Sequence, residues 1–178
     1  MLILNPVNLR IMKIKSILIA ALILMLSPIT KAQTVDSLVV STIDGVINEG
    51  LKIISGEKGE NRDWEAFRQL FTANAQISVL AHDSLGNAQI RTYSLEQFVR
   101  IGMAFYEGDG FIEYEIGRKI EEYNGIATVF QSYYAKELDL EEEGINTYQL
   151  VFDGKRWWIS SLLWTSNRNG VEVPSSYK

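Results

Sequence analysis

The 178-residue chain is 47% hydrophobic, has no cysteine and carries a formal net charge of -5, the size and apolar content of one domain with one core. Without cysteine there is no disulfide framework, thiolate nucleophile or cysteine zinc site. The acidic balance repels phosphate backbones and argues against a nucleic-acid partner.

Arg10, Lys13 and Lys15 precede an apolar run over 17–26, followed by Pro28 and the small-residue site Thr30-Lys31-Ala32. This is the pattern of a secretory signal peptide cleaved after Ala32, leaving one domain over 33–178. The apolar run is short for a membrane span, so an uncleaved anchor is the weaker alternative, and Met12 is an alternative start. Four of the 17 Lys and Arg residues lie in this leader and none of the 22 Asp and Glu, which leaves 13 against 22 and a net -9. The expectation is an exported chain, periplasmic or extracellular, free of the membrane after cleavage.

In chain order, Val35, Val39, Ile43, Val46, Ile47 and Ile54 recur at helical spacing and predict an amphipathic helix over 35–54. A Gly-containing link over 56–61 leads to a second helix over 63–71, capped by Asn61 or Asp63, with Trp64, Phe67, Leu70 and Phe71 on one side. Residues 75–81 and 89–93 alternate around a polar turn over 83–87 and form a short hairpin. Ser94 with Gln97 is a capping-box pattern, so a third helix runs over 95–106 and stops at Gly108-Asp109-Gly110. Four strands follow, over 111–123, 126–138, 145–152 and 156–165. Asn124-Gly125, an acidic loop over 139–143 and Asp153-Gly154 separate them. Consecutive carboxylates repel, so that loop reads as a solvated hairpin end. Helices before and between short strands, then a meander, define an α+β domain.

A two-residue turn at Asn124-Gly125 sets the facing pairs: Ile120 with Val129, Arg118 with Gln131, Ile116 with Tyr133, and Tyr114 with Ala135. These, with Ile112, share a face that covers the helices, because the other face of the same strand reads Glu113, Glu115, Lys119 and Glu121. In the last hairpin Tyr148, Leu150 and Phe152 share a face with Trp157, Ile159, Ser161 and Leu163. The outer face then holds Phe130, Tyr134, Val151, Trp158, Leu162 and Trp164, an aromatic patch read as a homodimer contact. Curling of the sheet, or cover by the tail over 166–178, is the alternative.

The passage Trp64-x-x-Phe67-x-x-x-Phe71-x-x-x-Ala75, the strand Gly125-Ile126-Ala127-Thr128-Val129, and the ending from Asp153-Gly154 through Trp157-x-Ile159 to Trp164 resemble the nuclear transport factor 2-like (NTF2-like) superfamily, in particular its SnoaL-like members. The likeness covers nearly the whole chain after the leader. It implies a cone: a bent antiparallel sheet wrapped round a long helix, with an apolar pocket at one end. Such proteins include steroid isomerases, polyketide cyclases, dehydratases and proteins without catalysis, often dimeric through the sheet, so function rests on the pocket.

The residues expected to meet a ligand there are Tyr114, Arg118, Gln131, Tyr133, Tyr148, Trp157 and Ser161, with Asn146 near an end. Arg118 opposite Gln131 could hold a carboxylate or carbonyl, or could pair with a helix carboxylate instead. Where the resemblance implies a general-base carboxylate in steroid isomerases, this chain has Val79 between Ser78 and Leu80. The single histidine, His82, stands beside Asp83, but strand neighbours point to opposite faces, so it reads as an exposed turn residue. Tyr114, Tyr133 and His82 are the weak catalytic candidates. No cofactor or metal site is expected. The resulting expectation is a non-catalytic exported domain that binds a small, partly apolar ligand and dimerises. The alternatives are an isomerase, cyclase or dehydratase using a pocket Tyr or His, and an association module with a filled pocket.

Overall fold

The computed structural model describes residues 34–83 and 85–178. The leader, its cleavage site and the choice between Met1 and Met12 lie outside the described residues.

Residues 35–54 do not form one helix. A 3-10 turn, Val39–Ser41, precedes α1, Ile43–Ile54. The break falls at extended Thr42, whose hydroxyl accepts from the Gly45 amide at 3.0 Å and so satisfies a free helix N–H. α2 is the short Trp64–Arg68, capped by Asp63. β1, Phe71–His82, starts at once after it and pairs with β2, Ala88–Ser94. The Ser94–Gln97 capping box opens α3, Leu95–Asp109, and Gly110 at φ 79° ends it. The meander is β3, Ile112–Tyr123; β4, Ile126–Glu137; β5, Leu140–Phe152; and β6, Trp157–Ser166.

Two expectations on this sheet need correction. The hairpin end is shorter than the expected loop over 139–143, because Glu137 pairs with Leu140 across a two-residue turn: Asp139 stays in the exposed turn and Glu141 to Glu143 lie in β5. Its charges find partners: Glu141 with Lys136 at 3.5 Å, Glu142 with Arg168, and Glu143 with Lys178 at 2.6 Å. The sheet is also mixed rather than antiparallel. Its order is β2-β1-β6-β5-β4-β3, and β1 runs parallel to β6. That junction is stitched by Ile159 N to Leu70 O at 2.9 Å, Thr165 Oγ1 to Leu80 O at 2.8 Å, and Arg156 Nη2 to Gln69 O at 2.6 Å.

At one end of the cone Val46, Ile47, Leu70, Ile77, Val129, Leu150 and Ile159 are at most 1% exposed and pack as one cluster. Each such side chain contributes about 2 kcal/mol of burial. At the other end the expected faces are wrong, because two strands carry a bulge. In β3 Gly117 pairs with Ser132 but Glu115 pairs with Tyr133, which leaves Ile116 unpaired. In β6 Ile159 pairs with Leu150 but Ser161 pairs with Gln149, which leaves Ser160 unpaired. One extra residue reverses the facing of everything beyond it. Glu113 and Glu115 therefore turn inward and Tyr114 outward, while Leu162 and Trp164 turn inward and Ser161 and Leu163 outward. A serine hydroxyl holds each bulge: Ser132 Oγ donates to Gly117 O at 3.3 Å, and Ser160 Oγ to Gln149 O at 3.0 Å.

Candidate functional site at the open end of the cone

The C-terminal ends of β1, β4 and β6, the N-terminal ends of β3 and β5, and Arg91 and Tyr93 of β2 meet one side of α3 around a cavity of about 380 Å³. Phe98, Ile101, Tyr106, Phe111, Leu162 and Trp164 supply its apolar wall. Phe98 meets Trp164 edge-on at 6.1 Å, and Tyr106 stacks on Phe111 at 4.2 Å. Tyr133 lies against Gly144, where an added Cβ would come within 2.5 Å of the phenol, so the ring keeps its place only over a glycine.

Glu113 is the ionisable group that the β3 bulge delivers into this cavity. Its backbone is gripped from both sides by Ser55 at the end of α1: the Glu113 amide donates to Ser55 Oγ, and Ser55 Oγ donates to the Glu113 carbonyl, both at 3.0 Å. Asn146 Nδ2 donates to its Oε1 at 2.8 Å and to Gln131 Oε1 at 3.0 Å. Tyr148 donates to the same Gln131 oxygen at 3.2 Å, and Gln131 Nε2 donates to Glu115 at 2.8 Å. Arg118 completes the chain, binding Glu115 at 2.8 Å, Asp44 at 2.5 Å and Asn48 at 2.7 Å. Each member fixes its neighbour, so Glu113 and Asn146 are held where the cavity begins.

Burial pushes the Glu113 carboxyl up to about 7, assisted by Glu142 and opposed by the Asn146 hydrogen bond. Burial and the nearby carboxylates also hold the phenols of Tyr106, Tyr133 and Tyr148 well above their ordinary range, so they stay protonated donors. A carboxyl that exchanges its proton near neutrality, set among hydroxyl donors in an apolar cavity, is equipped for general acid–base chemistry.

At the mouth a 3-10 turn, Asn167–Asn169, reaches across both walls. Asn167 Oδ1 accepts from the Glu143 amide at 3.2 Å, Arg168 pairs with Glu142, and Asn169 Nδ2 stands 3.5 Å from His82 Nε2. His82, Arg91 and Glu137 line the same opening.

Of the residues expected to meet a ligand, Tyr133, Tyr148 and Asn146 line the cavity. Gln131 is fully buried behind it, and Arg118 is engaged with the α1 carboxylate Asp44, the alternative weighed above. Tyr114 is 53% exposed and stacks on Tyr134 at 4.8 Å on the outer face, and Ser161 is turned out by the β6 bulge. Trp157 is core, against Phe152 at 5.4 Å. His82 is not a bare turn residue, since it lies at the cavity mouth. The outer aromatic patch shrinks: Leu162 and Trp164 leave it, Phe130 stacks on Tyr177 at 5.8 Å while staying 39% exposed, and Trp158 is occupied by Asp153 at 2.8 Å and Arg156 at 3.8 Å. Among the described residues no group of three or more His, Cys, Asp or Glu could hold a metal ion, and no helix is long and apolar enough to cross a membrane. Sequence reasoning missed Glu113 and Trp164. The available signal was the isolated Gly117 within a strand, a mark of a bulge.

No family model and no curated protein matches the chain. Solved structures do. An NTF2-like protein of unknown function from Pseudomonas aeruginosa superposes with a TM-score of 0.54 at 15% identity, over 67% of this chain and 94% of that one. A protein of unknown function with a cystatin-like fold from Nostoc punctiforme gives 0.52 at 12%, over 69% and 86%. A candidate scytalone dehydratase from Novosphingobium aromaticivorans gives 0.52 at 10%, over 70% and 80%. The fold is the one these proteins share.

Proposed function

We propose that this chain, whose fold is NTF2-like, binds a small, partly apolar molecule in its cone and that Glu113 moves a proton on that molecule as general base and acid. The carrying observation is Glu113 itself: a half-buried carboxyl lining an aromatic cavity, its backbone clamped by Ser55 and one oxygen bound by Asn146. The non-catalytic reading arose because no acid or base was expected in the pocket; Glu113 removes that reason. With the phenol of Tyr106 or Tyr133 donating to a ligand oxygen, an ionised Glu113 would take a proton from an adjacent carbon or hydroxyl and return it elsewhere. That is the proton bookkeeping of an isomerase or dehydratase.

A generic test is exchange of solvent deuterium into the carbon next to the carbonyl of small cyclic ketones, followed by proton magnetic resonance. Catalysed exchange is expected to rise with pH through about 7 as Glu113 ionises and to fall about a hundredfold or more in Glu113→Gln. Equal exchange by the two proteins removes Glu113 from the chemistry. A purely binding cone is the second reading, favoured by a cavity of about 380 Å³, at the small end for ligand sites. It holds if ligands bind while exchange never exceeds background.

Export and self-association are part of the same proposal. Export is supported by the leader pattern, and a chain recovered outside the cytoplasm should begin at Gln33. A dimer through the outer face would rest on Tyr114, Phe130 and Tyr134, and sedimentation of Phe130→Glu at unchanged mass would reject it.

A further inference from the structure

The β3–β4–β5 register places Glu113 and Glu142 on either side of Ala135, all three on the inner face. Neighbouring strands stand about 4.8 Å apart, so the two glutamates flank a gap floored by a single methyl. A cation already occupies one side of it: the Arg168 guanidinium rests on Glu142, delivered by the Asn167–Asn169 turn and half exposed to water. Gly170 follows at φ 82°, a conformation that lets the chain reverse directly after the turn. The surrounding faces belong to Tyr106, Phe111, Tyr133 and Trp164, the side chains over which an ammonium group is best accommodated. The Tyr106 hydroxyl has no hydrogen-bond partner among the described residues, and its ring lines this cavity.

We infer that the cone selects a ligand bearing a cationic amine, which replaces the Arg168 guanidinium against Glu142 and donates to Glu113 while its carbon body lies on Phe98, Phe111 and Trp164. The inference rests on the ligand-binding reading above and names the ligand's class. Arg168 is then a resident competitor: its own ion pair is weak because it is half in water, so an amine with an apolar body displaces it. The groups that face Glu113 are Glu137 and Tyr133 from β4, Glu142 and Tyr148 from β5, Tyr106 from α3, Arg168 after β6, and His82 and Arg91 at the mouth. With Glu113 itself, three carboxylates stand against two arginines, and Arg91 lies at the mouth, which favours an ammonium over a carboxylate at the inner end.

Calorimetry of the purified protein with 2-phenylethylamine, 2-phenylethanol and phenylacetate tests this. The amine is expected to bind about tenfold tighter than the alcohol, and phenylacetate weakest. Arg168→Ala should tighten the amine about threefold, Arg168→Lys should leave it near wild type, and Glu142→Gln should weaken it about tenfold. Amine affinity should rise between pH 6 and pH 8 and lose that slope in Glu113→Gln. Tighter binding of phenylacetate than of the amine, or weaker binding of the amine in Arg168→Ala, overturns the inference while leaving the binding cone intact. Failure of all three probes to bind wild type and Arg168→Ala, both shown folded by circular dichroism, overturns the binding reading together with the amine.

Discussion

The packed end and the open end of the cone are made by the same strands of one sheet, yet one is filled with aliphatic side chains and the other encloses a cavity with a carboxyl in it. Along β3 and β6 the change falls at single residues, Ile116 and Ser160. Before the β6 bulge, Trp157 and Ile159 point into the core; after it, Leu162 and Trp164 do, two inward positions separated by an extra step. A strand of unbroken period 2 would have placed Tyr114 inside and Glu113 in water. The difference between the ends therefore resides less in composition than in where the alternation is reset, in keeping with bulges that re-aim side chains beside functional sites.

Deleting Ile116 should erase the difference most completely. Regular pairing would turn Glu113 outward and return its titration from about 7 to the ordinary carboxylate range, which carboxyl-resolved magnetic resonance would read. At the packed end, Leu70→Ala should cost about 4 kcal/mol in urea unfolding while leaving the Glu113 titration in place.

Glu113→Gln tests the open end with the opposite sign. Because the folded-state value is raised to about 7 above the unfolded value, the native protein holds more protons than the unfolded chain between the two. The stabilising effect of the protonated carboxyl is present below the unfolded value and is lost as pH rises through about 7. The variant should thus be more stable than wild type at pH 8, by about 3 kcal/mol, and lack the slope between pH 5 and pH 8. Equal slopes in both proteins would place Glu113 in ordinary solvent.

Arg118→Ala, which leaves Glu115 and Asp44 without their cationic partner, should cost about 2 kcal/mol. Tyr177→Ala, which uncovers Phe130 and frees the Lys119 ammonium from its ring, should cost about 1 kcal/mol.

Much of the fold was legible because local chemistry and tertiary structure agree. Asn124 and Gly125 both take positive φ and set the pairs from Arg118 to Tyr123 as expected. The Ser94–Gln97 box marks the start of α3, and the faces of β4 and β5 follow simple alternation. What was not legible depends on cancellation of the period. Glu113, Glu115, Lys119 and Glu121 look like one solvated stripe, and only a bulge between the second and third separates the inward glutamates from the outward lysine. Burying Glu113 is unfavourable on its own, so no propensity points to it; the Ser55 clamp that holds it comes from 58 residues away. The acidic run misled for a similar reason, since Lys136, Arg168 and Lys178, which neutralise it, are brought near only by folding.

The two fastenings between α1 and β3 also have a mechanical meaning. Asp44 and Asn48 hold Arg118 near the start of the helix, and Ser55 holds Glu113 just past its end. From 44 to 55 a helix rises about 16 Å, and from 113 to 118 a strand covers about 16 Å. Two rods of matched length, pinned at both ends, cannot slide past one another without breaking a pin. The wall that carries Glu113 is thus a splinted one, and it resists widening of the mouth along that side.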